Sequence, residues 1–370
     1  MRVLQFAKRS VVTLALVTGS LAGCSGTSPD APFNPTGMSG DLEAMNGTFS
    51  SPAFASFSTM SLMFDAALGG SPIISASAAA LDIHSTSPQG IRAAAVRSAQ
   101  RLTRALKQGR LGGFSASSAA HAGPGVAAVP AAVAGKTFIY DVGIAGYIPS
   151  DRSGAPGNGV RFILYAVDPV TLAIDPATEV GYVDLIDLSA GSTQAARVMV
   201  VFDDVTYVDY RVSASSTVSS GRVSVIGYVT DGNTQANVNL RSTITYSAGL
   251  TLTYSLDLPT RDVSIDLTVS ANDIIQPTGT LNVNLLMRGP NGTVAIIGQF
   301  TDTTGNLAVR INGSSFATIT TNGTTTTITR TDGTPLADDE LIALEGVFAI
   351  QAGAFVSFDQ MMAPLGAFFQ

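Results

Sequence analysis

The chain has one cysteine, no tryptophan, two histidines and three lysines among its 370 residues. A single cysteine excludes an internal disulfide and any zinc or iron–sulfur site built from several thiolates. His84 and His121 both lie in low-complexity surroundings, and no H-E-x-x-H helix accompanies them. No cofactor and no metal are implied. Lys8, Lys107 and Lys136 sit in no P-loop, and Gly157-Asn158-Gly159 precedes a strand-like run rather than the helix that cradles phosphate. A G-x-S-x-G elbow for a nucleophilic serine is also missing.

Charge is thin too, at 13% of residues against roughly 25% in ordinary globular chains. The net charge of −7 lacks the basic footprint of a general nucleic-acid binder, so no nucleic-acid partner is expected. Hydrophobic residues, at 45%, are ample for a large core. The length fits two domains or one large β domain.

The N-terminus reads MRVLQFAKRSVVTLALVTGSLAGC. Arg2, Lys8 and Arg9 precede an apolar stretch from Val11 to Ala22, which is too short to span roughly 30 Å of hydrocarbon as a helix. This is the anatomy of a secretory signal. Its end, Leu21-Ala22-Gly23-Cys24, resembles the lipobox of bacterial lipoproteins. The resemblance implies cleavage between Gly23 and Cys24, a diacylglyceryl group on the Cys24 thiol and acylation of the new amino terminus.

Several acyl chains, at about 0.8 kcal/mol per buried CH₂, would anchor the protein permanently in a lipid bilayer. In that family an Asp after the cysteine tends to hold the protein at the inner membrane. Ser25 stands there, which favours the outer membrane of a Gram-negative envelope. The plainer alternative is an ordinary secretory signal with a chance cysteine. Cleavage would leave 17 basic and 27 acidic residues, a net charge of −10. No other segment reaches 18 uninterrupted apolar residues.

After the signal peptide (1–23), residues 24–50 are rich in Gly, Pro, Ser and Asn and read as a flexible tether. Residues 51–135 read as a helical, Ala-rich segment. Its first part carries Phe54, Phe57, Met60, Met63, Phe64 and Leu68 at helical spacing. Further on, Ile91, Ala94, Ala95, Ala99, Leu102, Ala105 and Leu106 share one helical face. Arg92, Arg97, Arg101, Arg104, Lys107 and Arg110 share the other. Such a helix either lies on an anionic membrane surface or packs its alanines on the sheet.

From Lys136 the apolar period changes from 3.6 to 2, and residues 136–332 read as an antiparallel β domain. Ile265, Leu267 and Val269 alternate with polar residues, as do Leu281, Val283 and Leu285. Turns are marked by Asp231-Gly232-Asn233, Pro259-Thr260, Pro290-Asn291-Gly292 and Asp332-Gly333. Thr318 to Thr331 reads as one strand with threonines on its wet face.

The tail, 333–370, reads as helices packing on the β domain, with Asp338 or Asp339 as a cap. It ends in a stretch rich in Phe355, Phe358, Met361 and Met362. The expected fold is mainly β with flanking helices (α+β). It is a long, curved antiparallel meander of about twelve strands, with one apolar face covered by the N- and C-terminal helices.

Three functions follow in order. The first is a non-catalytic envelope lipoprotein that binds or carries an apolar ligand such as lipid. Its lining would be Phe54, Phe57, Met60, Met63, Phe64, Phe355, Phe358, Met361 and Met362, side chains that equally well fill an ordinary core. In layout alone this plan resembles the half-barrel lipoprotein carriers and chaperones of the bacterial envelope. The second is a structural or adhesive surface module binding protein or glycan through its Ser/Thr/Asn-rich face. The third is an aspartate-dependent hydrolase. It would require Asp203 and Asp209 to share a face of one unbroken strand, with carboxyls about 5–9.5 Å apart for glycoside chemistry. Solvated outer-face or turn aspartates are the plainer explanation.

Overall fold

The computed structural model describes residues 33–49, 51, 53–54, 56–57, 127–168, 173–191, 193–217, 219–245, 249–271, 280–301, 303–322, 325–348 and 361. The lipobox at Gly23-Cys24 and the basic segment 91–111 lie outside the described residues.

The first element is a helix, α1 (Pro35–Phe49), within the stretch read from composition as tether. Asn34 is its N-cap: its side-chain oxygen accepts the Gly37 N–H at 2.9 Å, with Pro35 in the first helical position. Met38, Leu42, Met45 and Phe49 recur at steps of four, three and four and are buried. Composition hid this stripe, because the glycines and serines lie between its members.

The strands then follow one another. They open with β1 (Thr137–Asp141), β2 (Gly146–Ser150), β3 (Gly159–Val167), β4 (Ile174–Asp187) and β5 (Gln194–Phe202). Next come β6 (Val205–Ser216), β7 (Ser220–Thr230), β8 (Gln235–Thr245), β9 (Gly249–Leu258) and β10 (Val263–Ala271). The last are β11 (Leu281–Gly289), β12 (Gly292–Phe300), β13 (Thr304–Ile311), β14 (Ser314–Asn322) and β15 (Thr325–Arg330).

All fifteen form one open, curved sheet in the order β15 to β3 and then β1, β2. Every neighbouring pair is antiparallel except β1 and β3, which run parallel with Thr137 opposite Arg161. The expectation of about twelve strands is thus corrected to fifteen among the described residues. The Thr-rich run splits into β14 and β15 around Asn322-Gly323, a dipeptide that favours tight hairpins. The short β2 escaped notice because Pro149 interrupts its pattern.

A second helix, α2, occupies residues 338–348. Its cap differs from expectation. Ala337 O accepts the Leu341 N–H, which makes Ala337 the N-cap residue, and Glu340 reaches back to accept the Ala337 N–H at 2.8 Å. The same Glu340 carboxylate grips Arg330, pinning α2 to the edge strand β15. Asp338 and Asp339 fall in the first turn, where negative charge suits the helix dipole.

Close strand approach leaves some positions room only for glycine. A Cβ on Gly227 in β7 would lie 2.1 Å from Asp209 O and 2.4 Å from Tyr210 Cα in β6. Gly227→Ala should therefore lower unfolding free energy by about 1–3 kcal/mol, read as an earlier urea midpoint at unchanged slope.

Candidate functional site

Successive residues of a strand point to opposite sides of a sheet, and here alternate positions are buried. In β9 these are Leu250, Leu252, Tyr254, Leu256 and Leu258; in β10 they are Val263, Ile265, Leu267, Val269 and Ala271. Residue-by-residue pairing sets Leu252 opposite Val269 and Leu256 opposite Ile265. Similar alternation runs through most of β6 to β14, and buried positions of every strand from β3 to β14 join one hydrophobic cluster. That cluster also holds Met38, Leu42, Met45 and Phe49 of α1, Phe54, Phe57, Leu344, Val347 and Phe348 of α2's last turns, and Met361.

An aromatic series leads from α1 to the sheet. Phe49 meets Phe54 edge-on at 5.6 Å, Phe54 lies 5.8 Å from Phe57, and Phe57 meets Tyr210 of β6 at 6.2 Å. Tyr210 is fully buried, and its hydroxyl donates to Met361 O at 2.7 Å. One phenol thus fastens the tail, 151 residues onward, to the middle of the sheet. Burial pushes the phenol's pKa well above its ordinary value. The two helices also approach closely: a Cβ on Gly346 would lie 2.9 Å from Leu42 Cδ1.

A buried serine hydroxyl on this surface is unmatched. Ser242 of β8, with 1% of its area exposed, sits opposite Val223 and Leu252, and its Oγ has no hydrogen-bond partner. A buried hydroxyl in that state costs about 1–3 kcal/mol relative to a bonded one.

On the other side of the sheet, charges are matched across strands. Arg161 of β3 grips Asp184 of β4 through two hydrogen bonds of 2.7 and 2.8 Å while stacking 3.6 Å over the Tyr182 ring. The hydrogen bond to Asp184 holds the Arg161 pKa above its ordinary value. Arg197 binds Asp209 in the same forked manner at 2.8 and 2.6 Å. Arg288 meets Asp266 at 2.7 Å with both side chains about half exposed, and such surface pairs contribute about 0–1 kcal/mol.

These pairs account for the aspartates singled out from sequence. Asp203 and Asp204 form the β5–β6 turn with positive φ (48° and 61°), so the strand does not run unbroken from Asp203 to Asp209. Asp187 accepts the Ser189 and Val129 N–H groups. Asp332 accepts both the hydroxyl and the N–H of Thr334, which hold its carboxyl below the usual range. Among the described residues no group of three or more His, Cys, Asp or Glu is placed to hold a metal.

Of the lining residues proposed from sequence, Phe54, Phe57 and Met361 are buried in the common cluster. Met60, Met63, Phe64, Phe355, Phe358 and Met362 lie outside the described residues. Sequence reading missed Met38, Leu42, Met45 and Phe49, whose spacing was the available signal. It also missed Tyr210, whose long-range bond leaves no local trace. Among the described residues no helix is long and apolar enough to cross a membrane. Comparison of the chain with protein-family models, curated proteins and solved structures returned no match.

Tyr210→Phe should cost about 1–3 kcal/mol by stranding the Met361 carbonyl. The raised phenol adds a pH dependence. Above about pH 10 the unfolded state loses its proton first, so stability should be flat from pH 7 to 9 and fall beyond. Urea midpoints taken across pH should show a shallower alkaline fall in the phenylalanine variant.

Proposed function

We propose that this chain is a non-catalytic, lipid-anchored protein of the bacterial envelope that holds an apolar ligand such as lipid against the inner side of its sheet. The observation that carries this reading is the width of the open sheet. Fifteen strands at about 4.8 Å spacing extend roughly 67 Å across, with buried aliphatic positions on twelve of them. α1, fifteen residues long, reaches about 22 Å, and residues 338–348 reach about 16 Å. The helices packed here bring phenylalanine and methionine, side chains that repack readily around acyl chains.

In this reading, ligand exchanges places with part of that cover, and N- and C-terminal helices otherwise close one apolar face. Ser242 supplies a polar contact. Its unpaired hydroxyl would donate to an ester or headgroup carbonyl set among the aliphatic side chains. The anchor rests on the lipobox at Cys24, and outer-membrane placement rests on Ser25.

The adhesive alternative draws on the outer side of the sheet, where Ile226 stands exposed between Arg211 and Asn239, and Ile297 between Asn284 and Ala308. Their isolation from each other, on β7 and β12, favours the ligand reading over a glycan platform.

Native mass spectrometry of protein purified without detergent should show co-purifying lipid. Ser242→Ala should reduce lipid retention while leaving or raising apo stability by up to about 1 kcal/mol, since it removes an unmatched hydroxyl. Protein that stays lipid-free after incubation with phospholipid vesicles would count against the ligand. Cys24→Ser should abolish acylation and leave an uncleaved, unanchored precursor, read by mass.

A further inference from the structure

The turns of the sheet form two rims, and topology assigns each turn to one of them. The β3–β4, β5–β6, β7–β8, β9–β10, β11–β12 and β13–β14 turns share a rim with the β1–β2 turn, because β1 runs parallel to β3. The start of α1 joins this same rim. Asn34 donates its backbone N–H to Asn291 O at 3.2 Å and its side-chain amide to Asn291 Oδ1 at 3.1 Å. Asn291 in turn donates to buried Asp41 at 2.7 Å, and Phe33 packs edge-on against Phe316 at 6.1 Å. The start of α1 is therefore clamped to the β11–β12 turn.

Only eight residues separate Phe33 from Cys24. Nine residue steps reach at most about 32 Å even when fully extended. An acylated Cys24 thus keeps this rim within about one sheet height of the bilayer.

A second, independent feature marks the same rim. Turns ordinarily carry polar residues, yet the β1–β2 turn reads Val142-Gly143-Ile144-Ala145. Val142 is 66% exposed and Ile144 64%, the two most exposed large apolar side chains among the described residues. Val205, beside the β5–β6 turn of this rim, is 48% exposed.

We infer that this rim is a membrane-docking edge. The sheet stands on the bilayer with the Val142/Ile144 turn in the headgroup region, and the acyl chains on Cys24 hold it there. Charge selects the kind of surface. The turns of this rim carry Asp168, Asp203, Asp204, Asp231 and Asp262 against a single base, Arg261, among the described residues. Zwitterionic headgroups therefore suit it and anionic ones repel it. The inference rests on the lipobox reading of Cys24, and its test separates the two.

The full chain is expressed in a Gram-negative host with Ile144→Cys, or with Ser219→Cys in the β6–β7 turn of the opposite rim. Acylation occupies Cys24, so a maleimide nitrobenzoxadiazole dye reports only the new thiol. The labelled protein is placed in phosphatidylcholine vesicles containing brominated lipid. Dye at position 144 should be quenched about twofold or more while dye at 219 is unaffected. Replacing part of the phosphatidylcholine with phosphatidylglycerol should weaken the quenching at 144.

Acylated protein that floats with vesicles while dye at 144 stays in water would overturn the docking edge and leave the anchor standing. Quenching at 219 instead of 144 would overturn the orientation, and stronger quenching with phosphatidylglycerol would overturn the charge argument. A mass showing no acyl group on Cys24 would overturn anchor and edge together.

Discussion

The constraint on which this molecule depends is the preservation of a two-residue repeat from each strand to the next. Slipping any strand by one residue would send its aliphatic side chains into water and its threonines and arginines inward. From β6 to β12 the pairing runs without a shift, so Val212, Val225, Leu240 and Tyr254 stay in one continuous row. Side-chain pairs on the outer side reinforce the same register. Arg161 with Asp184, Arg197 with Asp209 and Arg288 with Asp266 each join neighbouring strands. An isolated surface pair adds little stability, but a mispaired strand would separate these charges and bury some of them, at far greater cost.

Among the described residues, register shifts occur only near the rim that receives the start of α1. They lie at Leu164–Ala166 in β3, at Val200/Val201 in β5 and at Val309/Arg310 in β13. A bulge bends its strand and increases local twist. Placed at one rim, such bulges curve the sheet more at that end than at the other. At the bulge in β3, Tyr165 is buried directly after Leu164, but beside the Tyr140 ring, with 6.4 Å between centroids, and outside the common cluster.

Sequence alone revealed what is local and repetitive. Alternation at Ile265, Leu267 and Val269 announced β10 because each residue's neighbours carry the contrasting polarity. The turns at Asp231-Gly232-Asn233 and Pro290-Asn291-Gly292 were equally plain, since each residue type serves its own turn conformation. What stayed hidden depended on distant partners. Asp184 reads as a solvated acid until Arg161 is set opposite it. Glu340 reads as an ordinary helix residue until Arg330 and the Ala337 N–H both turn out to need it. The parallel β1–β3 pairing has no sequence signature, because the polarity pattern of a strand is the same in both directions. The sequence features on which the proposed function rests, Gly23-Cys24 and the Phe/Met-rich segments, are legible as chemistry, whereas the places of Phe54, Phe57 and Met361 in the core depend on distant partners.

The order of strands in the sheet also bears on how such a chain could reach its folded state. A polypeptide emerging from a channel with its N-terminus first would offer each strand from β4 onward a partner already in place. Each pairing closes only a short loop, so the entropic cost of every step is small. Only the earliest step runs out of sequence, because β1 must wait for β3 while β2 occupies its other side. The growing edge is then a transient template, open to any strand that arrives, until β15 is reached and the Arg330–Glu340 grip covers it. Delivered in that order, the chain would form the bond from Tyr210 to Met361 only after all fifteen strands had been supplied, so this bond would close a sheet that had grown strand by strand.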